Sequence, residues 1–393
     1  MTFGQQPIAN GFLKPEQFKT EYYFEMACAF CEKCGCFQLL EQPSPEQMFN
    51  ENYAFFSGTS KHMAHHFAEF AAHVQQDYLS GANDPFVVEM GSNDGIMLKN
   101  FAAKNMRHLG VEPSKNVAEA AMKAGVNTIN QFFNEETAKQ IVAKYGQADA
   151  FIAANCMCHI PTLHSVVKGI ELLLKPDGVA LFEDPYLGDV VDKTSYDQIY
   201  DEHTFLFSVQ SINYLFGKCG MEIFDVEPQT THGGSMRYVI ARKGKRTATE
   251  RLKQQIAKEE ELGLHLKETY ERFRQNCEKS KKDLRELLTQ LKNEGKRVVG
   301  YAATSKSTTI LNYCNIGPDL IESICDTTPI KQGKFSPGKH IPIVAYEEFK
   351  KSYPAYAFLF AWNHFKEVME KEDAFKASQG KWIVHVPQVK VLS

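Results

Sequence analysis

No charge of either sign dominates this chain. Its 393 residues carry 44 Lys and Arg against 48 Asp and Glu, a formal net charge of −4. Without a basic excess there is no long-range field to draw a polyanion, so nucleic acid is not an expected partner. An uninterrupted apolar run of about 18 residues is also missing. The opening MTFGQQPIANGFLKPEQF has no basic stretch leading into an apolar one, so the expectation is a cytoplasmic protein with no membrane partner. Low-complexity segments are absent, and 43% hydrophobic with 23% charged residues is the balance of an ordered globular chain. At this length one hydrophobic core stops growing, so several domains are expected.

What is there begins with cysteine. Four of the ten crowd into CAFCEKCGC, as Cys28, Cys31, Cys34 and Cys36. A disulfide framework is unusual in so long a chain, and this spacing points to a metal instead. Four thiolates would complete a tetrahedral zinc site given a tight local wrap. They sit in a small N-terminal module, residues 1–60, with short irregular pieces. From residue 61 a helix is followed by apolar runs alternating with helical spacing, to about residue 243. That alternation predicts an α/β domain built on a doubly wound parallel sheet. Residues 244–296 are rich in Glu, Lys, Gln and Leu, with Leu284, Leu287, Leu288 and Leu291 at helical spacing. They read as one long or two consecutive amphipathic connecting helices, a free coiled coil being the alternative. Residues 297–393 repeat the strand, small-residue turn and helix pattern as a second, smaller Rossmann-like α/β domain.

In a doubly wound sheet, ligands bind beyond the carboxyl ends of the strands. The stretch VVEMGSNDG places Glu89, Gly91, Ser92, Asn93, Asp94 and Gly95 there. The third glycine of the dinucleotide fingerprint is missing, as is the Walker lysine. An acid, Glu112, ends the next strand in GVEPS. This combination resembles the S-adenosylmethionine signature of class I methyltransferases, in which such an acid accepts the ribose hydroxyls and Asn93 or Asp94 meets the methionine ammonium. A purely structural turn beside a surface glutamate is the alternative.

Beyond the fourth strand of that sheet lies AANCMCHI, with Asn155 and His159, and after the LFEDP strand comes YDEHTFLFS, with Tyr200, Glu202 and His203. Taken singly, each histidine reads more readily as a core or surface residue than as a catalyst. Their convergence on one rim of the sheet suggests chemistry, since a neutral imidazole titrates near working pH and suits proton abstraction. Tyr200 or Glu202 is placed to orient it.

In order along the chain, GQQPIANGFL, FCEKCGCFQL, VVEMGSNDG, YDEHTFLFS, THGGSMRYVI, ATSKSTTILNYC and AWNHF resemble the S-adenosylmethionine-dependent C-methyltransferases of nucleotide-linked 4-keto-deoxysugars. The resemblance spans nearly the whole chain. It implies that His203 removes the proton beside the ketone, with Tyr200 and Glu202 shaping the site and Asn155 and His159 as donors to the enolate oxygen. Tyr53 would close the site. His232, Gly233, Ser235 and Arg237, within HGGSMR, would contact substrate, although a Gly-Gly hairpin explains them as well. Lys306 would reach a pyrophosphate, with Asp326, Lys331 and Asn363 as further substrate contacts. The implied substrate is a dTDP-linked 4-keto-deoxyhexose methylated at C3 or C5. The family pattern has two C-x-x-C pairs; Cys31 and Cys34 match the second, while Cys28 and Cys36 are additional. Any zinc would be structural. O- or N-methylation of another small metabolite uses the same cofactor turn, and a zinc-bearing RNA methyltransferase would need a basic face this sequence lacks. Three domains able to cover one another favour a monomer.

Overall fold

A computed structural model describes residues 1–44 and 61–392. Three sheets organise the chain. The first is antiparallel, with β1 (Thr2–Pro7), β2 (Tyr23–Phe30) and β3 (Phe37–Leu39). Its fourth strand comes from far along the sequence and is considered below. The N-terminal region is thus a regular sheet where short irregular pieces were expected, because Phe24, Met26 and Cys28 alternate inward along β2 and supply one buried face.

The second sheet is built from β4 (Phe86–Met90), β5 (Arg107–Val111), β6 (Thr128–Ile129), β7 (Ala148–Ala154) and β8 (Leu174–Pro185). Every residue of β4 is buried, as a central strand covered by helices on both faces requires. The strand β9 (Phe205–Leu206) follows, then β10 (Met221–Gln229) and β11 (Ser235–Arg242). The order across this seven-stranded sheet is β10-β11-β8-β7-β4-β5-β6. Neighbours from β6 to β8 are parallel, and β11 runs antiparallel to both β8 and β10. The order reverses at β4, so the ends of β4 and β7 flank a crevice of the kind that holds ligands.

Two connecting helices follow, Glu250–Leu262 and Lys267–Asn293. Gly263 separates them, capping the first in the left-handed region at φ 66°, a conformation glycine adopts without steric cost. The second is no free coiled coil: Leu284, Leu288 and Leu291 are buried in one core with Phe24 of β2 and with Ile310 and Ile324 of the C-terminal region. That region forms the third sheet, from β12 (Val298–Tyr301), β13 (Ile324–Asp326), β14 (Ile343–Ala345), β15 (Tyr356–Leu359), β16 (Lys381–Val384) and β17 (Lys390–Leu392). The order is β14-β13-β12-β15-β16-β17, parallel except for β17. Among the described residues no helix is long and apolar enough to cross a membrane.

The long helix is therefore a shared core element, and Leu284 is fully buried on it. Leu284→Ala is expected to lower stability by about 2–5 kcal/mol, whereas Ile256→Ala, at an exposed position of the preceding helix, should change it by less than about 0.5 kcal/mol. Urea unfolding of the two variants checks this.

Candidate active site

The turn after β4 is held open by backbone geometry. Gly91 has φ 67° and Gly95 φ 81°, and a Cβ at Gly91 would meet the Cβ and Sγ of Cys156 at 3.0 Å. Glu112, at the tip of β5, accepts the amides of Asn93 at 3.0 Å and Ser114 at 2.8 Å. Those two bonds fix the carboxylate beside the turn. Deep burial raises the Glu89 carboxyl well above its ordinary value, and the charges of Glu112 and Asp94 raise it further. Burial likewise pushes Asp184, on the neighbouring β8, up to about 8. Glu89 Oε2, Ser92 Oγ and Asn155 Oδ1 find no hydrogen-bond partner among the described residues. An acidic pocket with unpaired acceptors and a glycine cradle fits S-adenosylmethionine, whose ammonium, sulfonium and ribose hydroxyls bring positive charge and donors.

Asn155 continues from β7 in the left-handed region at φ 52°, its amide bound to the carbonyl of Glu183 at 2.7 Å. Four residues on, the imidazole of His159 stacks on that of His203, with centroids 5.4 Å apart and planes at 23°. The expected convergence of the two histidines is thus present. Burial lowers His159 to about 4. Burial also holds His203 well below the usual imidazole value, with His159, His232 and Lys306 adding to the effect.

The tautomer of His203 follows from its partners. Nδ1 lies 2.7 Å from the carbonyl of Gln198, which can only accept, so Nδ1 carries the proton. Nε2 is then an acceptor, and the Tyr200 hydroxyl donates to it at 2.8 Å. Tyr200 is the orienting group. Glu202 is not: its carboxylate takes the Asn10 side-chain amide at 2.6 Å, while Asp201 takes the amide of Ala9 at 2.9 Å. The apolar residues that follow, Phe205 and Leu206, form β9 and pair with β3 as the last strand of the N-terminal sheet. The acid-histidine stretch is consequently a buried junction between units.

The HGGSMR stretch divides. His232 stands in the left-handed region at φ 54°, and its Nε2 is buried without a partner among the described residues. Gly233 is in contact range of Trp362, since a Cβ there would meet the indole at 2.4 Å. Arg237 and Ser235 are engaged by partners within the protein. Arg237 is buried between Glu183 at 2.9 Å and Glu227 at 2.8 Å, over the ring of Phe70. Ser235 Oγ donates to the carbonyl of Thr231 at 3.1 Å. Burial alone would raise the Glu183 carboxyl, but His66 and Arg237 outweigh it and hold it below the ordinary range.

From the third domain, Lys306 donates to the His232 carbonyl at 3.1 Å and to Asn363 Oδ1 at 3.2 Å. Asp326 closes the preceding turn by accepting the amides of Ala303 and Thr328, both at 2.7 Å, and Lys331 donates to the Ala303 carbonyl at 2.7 Å. Asp326 and Lys331 thus brace the turn that carries Lys306. Sequence reasoning missed Gln198, Asp197 and Trp362. Trp362 Nε1 donates to Asp197 Oδ2 at 2.7 Å; only their proximity to YDEH and within AWNHF hinted at a role. Tyr53 lies outside the described residues.

The cysteines depart from the four-ligand expectation. Cys28 faces the core with Cys277, because β2 alternates and Cys28 shares the inward parity of Phe24 and Met26. Cys31, Cys34 and Cys36 remain around the β2–β3 turn, where the amide of Cys31 donates to the carbonyl of Cys36 at 2.9 Å. Among the described residues, the one set of three His, Cys, Asp or Glu ligand atoms within 4.8 Å of one another is Cys158, His159 and His203.

A crevice at the switch point of this sheet, with a glycine turn after one strand and a buried acid at the tip of the next, defines a class I S-adenosylmethionine-dependent methyltransferase. Comparison narrows the class. Residues 63–226 match the family model "Methyltransferase domain", residues 230–387 "C-methyltransferase C-terminal domain", and residues 1–49 "Putative zinc binding domain". The C-methyltransferase NovU of Streptomyces niveus is 31% identical over 395 residues, covering 100% of this chain and 94% of NovU. The chain belongs to the C-methyltransferase family. Among solved structures, a methyltransferase of Anabaena variabilis shares 18% identity over 45% of this chain and 85% of its own, with a TM-score of 0.36. The magnesium protoporphyrin IX methyltransferase of Synechocystis shares 14% over 48% and 85%, with a TM-score of 0.35.

Two outcomes are expected from this geometry. Arg237→Met leaves the buried Glu183 carboxylate without its arginine and Glu227 with Arg251, at 3.3 Å, as its remaining guanidinium, so stability should fall by about 3–5 kcal/mol in denaturant unfolding; a substrate contact would instead change KM alone. Burial raises the Asp201 carboxyl, and the charge of Glu202 raises it further. The folded chain then binds that proton more tightly than the unfolded one, so stability falls as pH climbs from the ordinary carboxylate range through the raised value. Asp201→Asn should flatten this decline in melting temperature against pH.

Proposed function

We propose that the chain methylates a ring carbon, C3 beside a C4 ketone, of a dTDP-linked 4-keto-deoxyhexose. The observation that carries this reading is the neutral, tautomer-fixed imidazole of His203 stacked on His159, at the rim that also holds the cofactor turn. O- or N-methylation does not depend on an enolising base, since oxygen and nitrogen already carry the lone pair that attacks. A carbon must first lose a proton.

S-adenosylmethionine, when bound, supplies an electrophilic methyl group. His203 prepares the carbon to receive it. With Nδ1 committed to Gln198, Nε2 is the ring's acceptor, and the Tyr200 hydroxyl yields that position to the substrate C–H. The proton passes to Nε2, the C–H electron pair forms the C3=C4 bond, and the carbonyl electrons move onto oxygen. The enolate carbon then bonds to the methyl group as the C4 carbonyl re-forms, and the electron pair of the broken methyl–sulfur bond stays on the donor's sulfur. Glu89, Asp94 and Glu112 hold the positively charged donor, and Asn155 and His159 line the wall between donor and sugar. General-base assistance is worth roughly 10²–10⁴-fold. A histidine held this far below its usual value is a weak base, so stabilisation of the enolate oxygen carries much of the barrier reduction.

Incubation with a dTDP-4-keto-6-deoxyhexose in deuterated water, read by mass spectrometry, tests this. Wild type should take up deuterium at the accepting carbon and transfer methyl, and His203→Asn should lose both by at least about 10²-fold. Full exchange and methylation by the variant would move the base elsewhere.

A further inference from the structure

The enolate oxygen needs a partner, and His159 and Asn155 are neutral. One buried cation stands within the same hydrogen-bonded chain as the base. The His203 ring is bound to the carbonyl of Gln198; the side-chain amide of Gln198 donates to the carbonyl of His232; and that carbonyl also accepts from Lys306 at 3.1 Å. Lys306 is only 8% exposed. Its second acceptor is Asn363 Oδ1 at 3.2 Å. An ammonium has three N–H donors, so two neutral oxygens leave one N–H for a ligand. The Trp362 ring lies 5.4 Å from Nζ and closes that side with apolar surface.

We infer that Lys306, contributed by the third domain, is the cation that receives the enolate oxygen, in place of the pyrophosphate contact its position in the sequence suggests. Resting on the keto-sugar reading above, this deepens it. As the C–H bond breaks and charge gathers on the carbonyl oxygen, the ammonium donates to that oxygen. No proton need leave Lys306. Its charge reaches both imidazoles, contributing to the low values of His203 and His232. The same field that disfavours a protonated His203 in the empty site favours the negative charge formed when His203 takes the proton. Asp197 balances the ammonium from behind, itself held by Trp362 and lying 3.5 Å from His385.

Deuterium exchange and dTDP binding separate the two roles. For Lys306→Met, exchange at saturating sugar should fall by about 10²–10³-fold, with calorimetric affinity for dTDP alone changed by less than about threefold. Exchange close to wild type with dTDP affinity lost would make the ammonium a pyrophosphate contact and overturn the inference. Lys306→Arg gives a second readout. Burial lowers Lys306 to about 8, so wild-type exchange should decline as pH rises past that value and the ammonium is lost. Arg stays charged, so this decline should vanish, with His203, His232, His385 and Asp197 common to both proteins. An identical alkaline decline in wild type and Lys306→Arg overturns the inference even where Lys306→Met fails to fold. Wild type that neither exchanges nor transfers defeats the keto-sugar reading itself; a functioning wild type with an indifferent Lys306 defeats only this one.

Discussion

The segment from Ile199 to Leu206 is the constraint on which the rest depends. Its acids accept hydrogen bonds from Ala9 and Asn10, the carbonyl of Ile199 accepts Thr309 Oγ1 at 2.9 Å, and its last two residues pair with β3. This one short segment thereby fastens three units together. Buried carboxylates are costly to desolvate, and Asp201 and Glu202 are adjacent. Their retention in the interior is intelligible because each fixes the turn after β1 against the turn that carries the histidine. His203 is positioned to the precision of that junction.

Across the site the charges are sorted. On the side of β4 and β5 lie Glu89, Asp94 and Glu112, a set awaiting positive charge. On the other lie Lys306 and imidazoles kept neutral by burial. A cationic methyl donor fits the acidic side, and the proposed keto-sugar, anionic once deprotonated, would fit the other, so each ligand would have an electrostatic reason to take its own half. The charge of Arg237 is taken up by Glu183 and Glu227. Those pairs instead stiffen β8, β10 and β11, behind the turn that presents His232.

Much of this is legible in the amino-acid sequence. The glycine turn and the acid after it follow from local geometry, and local geometry is written in short stretches. The gap between the connecting helices is readable in Gly263 alone. Features set by distant partners are not. Nothing local in β9 assigns it to the N-terminal sheet, since two apolar residues fit any core. Arg237 reads as a ligand because its two carboxylates come from other strands. Glu202 reads as the histidine's partner through adjacency, while its true partner is Asn10. Cys28 is recoverable: the alternation of Phe24, Met26 and Cys28 already places it inward, and only the cysteine spacing argues otherwise.

The borrowed strand has a consequence for how the protein is made. A sheet that starts at Thr2 and ends with Leu206 cannot be completed as its first strands leave the ribosome. At roughly 5–20 residues per second, β3 emerges about 8–33 s before its partner β9 exists. During that interval one edge of the nascent sheet is open to any other extended chain. The methyltransferase sheet meanwhile acquires β4 to β8 in unbroken sequence. Folding from the amino end is therefore out of step with the spatial order, and the histidine, just ahead of the closing strand, takes its place only as that edge is sealed.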